Sequence, residues 1–245
     1  MTDAHCHVSG GDPSVRELLI GRDFVGVHPW EVRSGRSAHQ TIAELRAQLA
    51  ANPRLGVGEI GLDRLKEKTI SSEMRELFAA QLALAFEFRR PVVLHGAKCW
   101  GEVVKAICGV CPQQKWGLSP AASRSKNGVC PQLDFAKSGI SLLFHGFSRS
   151  DGLIPDIVRL NGYISVGPAV LNDHAVNYRE LVKKIPLDRL LVETDRDCPC
   201  EELINPLTKQ PLMIRDVLEK TAEIRGLSPA ELEAITDENA RRFLI

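Results

Sequence analysis

Short apolar runs alternate with amphipathic stretches along most of this chain, and most of the runs end on a polar residue. Asp23–His28, Leu55–Glu59, Pro91–His95, Ile140–His145, Gly162–Val166 and Arg189–Asp195 have the length and composition of buried parallel strands. Met1–His7 is a shorter opening strand with the same kind of ending. Helices are predicted in the gaps. Thr41 and Glu44 have capping-box spacing, with Ile42, Leu45 and Leu49 on one helical face. Ser72 precedes a second stripe of Met74, Leu77, Phe78, Leu82 and Ala85. Asn177–Ile185 and Pro211–Arg225 read as helices. Ser228, Pro229 and Glu231 supply an N-cap, a proline at the first helical position and the acid of a capping box for a last one.

Strands and helices alternating through one chain predict an α/β fold with a parallel sheet, open or closed. Two places break the rhythm. Between His7 and Gly26 there is little room for a full strand-helix unit, and Arg16–Gly21 reads as a short strand or a short helix. The stretch 109–133, rich in Pro, Gly, Ser, Lys and Gln, reads as a long surface loop. The chain of 245 residues is the size of one barrel domain, so a single domain over 1–245 is expected.

Composition changes the picture little: 44% apolar and 25% charged residues are ordinary globular values. With 31 basic and 31 acidic side chains, the chain is not expected to coat nucleic acid non-specifically. No apolar run is long enough for a membrane span, and the N-terminus lacks the basic and apolar regions of a signal peptide. Seven cysteines, an odd count, fit free thiols in a reducing compartment, and a cytoplasmic location is expected. Cys108 and Cys111, with Cys130, hint at a structural zinc but lack a clear fourth ligand; Cys198 and Cys200 belong to the opposite rim.

The chemistry sits at the strand ends. His5 and His7 are two apart on a strand and project to one side, a ready half-site for a divalent metal. Glu59, His95, His145 and Asp195 each close a different apolar run. In a barrel, the C-terminal ends of the strands carry the active site. One polar strand end is uninformative. Ligand-type residues at one rim of five strands point to a shared metal centre.

These residues resemble the TatD family of metal-dependent deoxyribonucleases, within the wider amidohydrolase-like group. The matching blocks are Asp3-Ala4-His5-Cys6-His7, Gly26-Val27-His28-Pro29-Trp30, Val57-Gly58-Glu59-Ile60-Gly61-Leu62-Asp63, Val92-Val93-Leu94-His95, Phe144-His145-Gly146-Phe147-Ser148 and Glu193-Thr194-Asp195. Asn239 and Phe243 also fit. The resemblance implies a TIM-like (β/α) barrel with a two-metal site. His5, His7 and Asp195 would hold one divalent ion, His95 and His145 the other, and Glu59 would bridge them. Paired metals lie about 3.5–4 Å apart in such sites, a span one carboxylate can cover. Mixed imidazole and carboxylate ligands suit Zn, Mn or Fe better than Mg. Two divalent ions held by two carboxylates leave positive charge to meet an anionic phosphate. Asp195 is also a candidate general base.

Around the centre, His28 reads equally as a substrate contact or as a structural histidine at the rim. Trp30 reads as a base-stacking platform or as part of a lid or core. Arg64, Lys66, Lys68, Lys98, Arg149 and Arg196 follow strand ends and are candidates for phosphate oxygens, each against the plain alternative of a solvated charge. Asp63 is expected to orient a neighbouring group by hydrogen bonding. The chain departs from the family at three places: Gly96-Ala97-Lys98 follow His95 where the family carries Ser-Arg, Arg149 follows Ser148 in place of glycine, and proline comes late after Asp195. The shortened stretch after His7 departs too, so one barrel strand is expected to be reduced or lost.

The leading expectation is a phosphodiesterase acting on DNA ends or single strands, with no obligate protein partner. The alternative is an amidohydrolase-like enzyme cleaving a small amide, lactone or phosphoester. A non-catalytic binding protein on the same fold is disfavoured, because every expected ligand is present.

Overall fold

The computed structural model describes residues 1–32, 38–66, 68–109, 133–197 and 204–245. Its strands are β1 (Thr2–Cys6), β2 (Arg16–Leu19), β3 (Phe24–Val25), β4 (Gly56–Asp63), β5 (Val92–Ala97), β6 (Leu142–Phe144), β7 (Gly162–Val166) and β8 (Leu190–Val192). The strand pairings are all parallel: β1 with β2, and β3 through β8 in chain order. A bridge between Ile20 and Phe24 joins the two sheets. On the other side, Asp195 N donates to the His5 carbonyl at 3.0 Å, just beyond β8. Asp3 strengthens this seam by accepting from Thr194 N at 3.0 Å and Thr194 Oγ1 at 2.6 Å. The result is a closed (β/α) barrel.

The N-terminal irregularity takes the milder of the two expected forms, a strand reduced. No strand is lost: Arg16–Leu19 is a strand, and β3 is reduced to Phe24–Val25. What is missing, among the described residues, is helix on both sides of β2. Residues 7–15 include Gly10, Gly11 and Pro13, which suit a loop. Only Ile20–Asp23 separate β2 from β3, too few for a helical crossover.

The helices are α1 (Ala38–Ala51), α2 (Ser72–Phe88), α3 (Trp100–Cys108), α4 (Phe135–Ser138), α5 (Ile154–Arg159), α6 (Val176–Lys184), α7 (Ile214–Arg225) and α8 (Pro229–Phe243). The Thr41 capping box is not the start of α1. Thr41 lies buried inside that helix, which begins three residues sooner. The cap of α2 is Ser71, accepting from Met74 N, and not Ser72. The capping box of Ser228 and Glu231 forms as expected. No described helix is long and apolar enough to cross a membrane. Residues 110–132, with Cys111, Cys130, Cys198 and Cys200, lie outside the described residues, so the long loop and the zinc cluster do as well.

Strand alternation divides the core into two layers. Val92, Leu94, Leu142, Phe144, Leu190 and Val192 pack outward under the helices. Their neighbours Val93, Leu143 and Leu191 join Tyr163, Phe24 and Phe243 in a second cluster. Because strand side chains alternate, Val93, Leu143 and Leu191 share a face with His95, His145 and Glu193. The interior is therefore apolar low in the barrel and polar at the C-terminal rim. The end of α8 seals the base, with Phe243 stacked 5.9 Å from Phe24 and edge-on to Tyr163. Asn239 Nδ2 donates to the Leu187 and Leu190 carbonyls at 2.7 and 2.8 Å, tying α8 to β8.

Candidate metal centre

Glu59 occupies an irregular part of β4. Val57 pairs with Val92 and Ile60 with Leu94, so Gly58 and Glu59 together face the single residue Val93. This β-bulge turns the Glu59 side chain inward, where regular alternation from Val57 would turn it out. The strand does not end at Glu59; it continues to Asp63, bringing a second carboxylate to the rim. Gly61 sits opposite His95, and a Cβ there would meet the His95 carbonyl oxygen at 1.9 Å. Only glycine allows the two strands to approach this closely.

The Glu59 carboxylate is the hub. Its Oε2 lies 3.2 Å from His7 Nε2 and 3.5 Å from His5 Nε2. Its Oε1 lies 2.6 Å from both His95 Nδ1 and His145 Nε2, and 3.5 Å from His28 Nε2. Asp195 Oδ1 is 3.4 Å from His5 Nε2. Each carboxylate oxygen thus faces its own group of imidazoles. The ligand atoms form three compact groups: His5, His7 and Glu59; His5, His145 and Asp195; and His28, Glu59 and His95. The second group runs across the two halves, so the halves share an edge. Asp195 adopts a left-handed backbone (φ 50°), which asparagine and aspartate tolerate best among residues with a Cβ.

The electrostatics follow from crowding. Burial favours a neutral Glu59, but the surrounding imidazoles, His145 foremost, hold its carboxyl well below the usual range. Burial opposes a charged His5, yet Asp195 and Glu59 hold that ring well above the ordinary histidine value. Burial also works against a charged His95, and Asp63 and Glu59 overcome it, pushing that imidazole up to about 9. A site that draws protons onto its imidazoles this strongly also draws cations. Two ring nitrogens of His5 and Nδ1 of His145 are buried without hydrogen-bond partners. The contacts of His5 Nε2 with carboxylates, at 3.4–3.5 Å, exceed ordinary hydrogen-bond length. Unsatisfied buried imidazole nitrogens around a carboxylate fit a divalent ion.

Supporting groups fix these rings. Asp63 Oδ2 takes His95 Nε2 at 2.8 Å, leaving Nδ1 toward Glu59. Asp63 Oδ1 accepts the backbone N–H groups of Leu65 and Lys66, at 2.7 and 3.0 Å. This is the orienting role expected of Asp63. Glu193, buried beside His145, accepts from Gly146 N at 2.8 Å and from Ser165 Oγ. Burial pushes its carboxyl up. Sequence reasoning gave Glu193 no role, although its place two residues before Asp195 on one strand run marks the same face.

The expected substrate contacts separate into two sets. His28 lies against the hub, its Nδ1 accepting from Trp30 N at 3.2 Å. Arg149 is exposed and lines a cavity of about 810 Å³ together with Asp195, Glu193, His174, Asn177 and Tyr178. Those last three were missed, having no strand-end signal. Trp30 is 45% exposed, but the Lys66 ammonium sits 3.7 Å over its ring and His28 packs edge-on at 4.8 Å. Arg64 is held by Glu102 at 3.2 Å and by the Lys68 carbonyl. Arg196 donates to the Leu212 carbonyl. Lys98 is exposed, with a left-handed backbone.

A barrel with a carboxylate-centred ring of histidines at its C-terminal rim is the architecture of a metal-dependent hydrolase. A family model described as TatD related DNase matches residues 21–244, and the chain belongs to that family. It is 27% identical over 93% of its length to an uncharacterized metal-dependent hydrolase of Bacillus subtilis, covering 80% of that protein. It is also 27% identical over 90% of its length to a 3'-5' ssDNA/RNA exonuclease of Cronobacter sakazakii, covering 75% of that protein. Among solved structures, a TatD homologue from Escherichia coli superposes with a TM-score of 0.66 at 22% identity, covering 95% of this chain and 78% of the other. That likeness establishes the barrel fold.

Proposed function

We propose that this chain is a two-metal phosphodiesterase that removes nucleotides from the ends of single-stranded DNA. The observation that carries the reading is the Glu59 carboxylate, with Oε2 toward His5 and His7 and Oε1 toward His95 and His145. His5, His7, Asp195 and Glu59 would hold one divalent ion; His95, His145 and Glu59 would hold the other. Zn, Mn or Fe suits this donor set better than Mg. Such a pair, when bound, would lower the pKa of an attacking water and neutralise charge on a phosphoryl group. Asp195, at the cavity edge, accepts the proton of that water as general base. Arg149 meets a phosphate oxygen from the same cavity, and its planar fork suits bidentate contact. His28 approaches the reacting phosphate from the opposite side, and Trp30 stacks a base once Lys66 is displaced from its face. Lys98, exposed just after β5, is a candidate for a further phosphate contact. Arg64 reaches a phosphate only after leaving Glu102.

A smaller substrate is the second reading. Arg64 is committed to Glu102 and Lys66 occupies a face of the Trp30 ring, which leaves few ready contacts for a long strand. An amide, lactone or small phosphoester would need only the metals and the cavity beside Asp195.

The test is incubation of 3'-labelled and 5'-labelled single-stranded DNA with protein loaded separately with Zn, Mn, Fe and Mg. Stepwise nucleotide release from one end, lost in Glu59→Gln, is expected. If no metal gives nucleotide release while a small ester is turned over, the second reading replaces the first. Elemental analysis is expected to give about two metals per chain.

A further inference from the structure

The opposite end of the barrel carries a second, chemically distinct cavity of about 700 Å³. Its wall is built where the N-terminal ends of β2, β3, β4 and β5 meet the end of α8. Five arginines line it: Arg16, Arg22, Arg54, Arg89 and Arg90. In barrels this face ordinarily serves stability, and it needs no concentration of charge.

The carboxylates in the wall do not balance these arginines. Asp23 is taken by Arg22, at 2.7 Å. Glu17 accepts from Ser9 Oγ and Gly10 N, neutral donors that leave its charge in the wall, and the Ile245 terminal carboxylate lies there too, so five guanidinium groups face three carboxylates. Among the described residues no carboxylate pairs with Arg16, Arg54, Arg89 or Arg90. Arg89 donates only to the Ser138 carbonyl, and Arg90 to the carbonyls of Pro53 and Leu49. The Arg90 Nε is buried without any acceptor. Five guanidinium groups outnumber the carboxylates around this cavity, and their mutual repulsion, screened where they are exposed, leaves the site favourable to anions. The excess of positive charge is met by one kind of occupant, an anion with several oxygens. The wall also offers apolar surface from Val15, Leu55, Pro91 and Leu244. The volume is in the range of small-molecule sites and exceeds what a single phosphate needs.

We infer that this cavity is a binding site for a diphosphate-bearing ligand of nucleotide size, separate from the hydrolytic centre. Guanidinium forks hold adjoining phosphates, and the apolar wall takes a base or sugar face. The site stands whether or not the metal centre acts on nucleic acid, because it uses none of the same residues.

Isothermal titration of ADP, pyrophosphate and adenosine into the metal-loaded protein tests this, with Arg16→Glu/Arg54→Glu, Arg16→Ala/Arg54→Ala and Glu59→Gln as variants. ADP is expected to bind saturably to wild type and to Glu59→Gln. Its affinity falls about tenfold or more in both arginine variants, as expected for lost charge-assisted contacts. Both arginine variants keep the wild-type hydrolytic rate and melt no lower than wild type, since they remove unpaired like charges. Pyrophosphate binding as tightly as ADP assigns the ligand to the phosphates alone; weaker pyrophosphate binding gives the apolar wall a share. Absence of saturable ADP and pyrophosphate binding overturns the inference. So does binding that survives both arginine variants, or that disappears in Glu59→Gln while they retain it, which would place the anion at the metals.

Discussion

Asp63→Asn isolates the part that one carboxylate plays in holding His95. The side chain is 1% exposed, and its two oxygens have different duties. Oδ1 accepts from two backbone N–H groups and Oδ2 accepts from His95 Nε2. Asparagine keeps the shape but has only one acceptor oxygen. If that oxygen stays on the backbone, the amide –NH2 faces His95 Nε2. The ring must then take the tautomer with its proton on Nδ1, the atom 2.6 Å from Glu59 Oε1, and a protonated nitrogen cannot bind a metal. If the amide flips, two backbone donors face –NH2 instead. Either way a charge-assisted hydrogen bond is lost, worth about 1.5–3 kcal/mol, which corresponds to about 10–100-fold in metal affinity. Only the ion held by His95 and His145 should weaken; the ion at His5 and His7 should hold within a few-fold. Competition against a fluorescent zinc chelator resolves two such equivalents. A pH readout accompanies it in the metal-free protein. His95 is raised from 6.5 to about 9 in the folded state, so its stabilising contribution is complete below about pH 6.5 and is lost as pH rises through about 9. Asp63→Asn should flatten that decline in melting temperature. If both zinc equivalents bind the variant within twofold of wild type, the orienting role assigned to Asp63 is wrong.

Three further outcomes are expected. Arg149→Ala should raise KM about tenfold for a phosphodiester substrate with a smaller change in kcat, because it removes a contact made before and during reaction; steady-state kinetics on a short oligonucleotide measure this. Asn239→Leu should lower stability by about 2–4 kcal/mol in urea unfolding, since two buried carbonyls lose their donor. Brief alkylation at pH 8 should modify Cys108, which is exposed, and spare Cys6 and Cys99. Burial pushes the Cys99 thiol up to about 12 and raises Cys6 as well, so neither offers thiolate at that pH. Peptide mass mapping reads the result.

The parts of this centre that were legible in the sequence are those set by local periodicity. His5 and His7 share a face because a strand alternates, and His95 and His145 each follow an apolar run, though β5 continues past His95 to Ala97. Glu59 was recognisable by type but not by place. The register shift opposite Val93 that turns it inward is a property of two strands together. The Asp63–His95 bond likewise joins residues 32 apart in sequence, and no window of one strand contains both. Helix starts failed where a local signal competed with packing. Thr41 and Glu44 have the spacing of a cap, yet burial of Thr41 against the core extends the helix past it. The first crossovers were legible only as too short for a full strand-helix unit; the strand persists in reduced form, and helix is what is missing among the described residues. Closure of the barrel requires the strand, and the helix is the dispensable element.

That order of necessity also separates the two ends of the molecule. At the C-terminal rim imidazoles ring the Glu59 carboxylate, and the imbalance that remains favours cations: buried nitrogens without donors to accept from. At the base the imbalance has the opposite sign, with guanidinium groups outnumbering carboxylates. A fold stabilised only by packing has no reason to retain either. Phe243 already seals the base with apolar contact, and Phe24 and Tyr163 complete that seal without help from Arg16 or Arg54. Unlike charges at opposite ends of one barrel are therefore better explained by two ligands than by one fold. The divalent ions proposed at the rim and the anion proposed at the base would be removable independently, because no residue lines both sites.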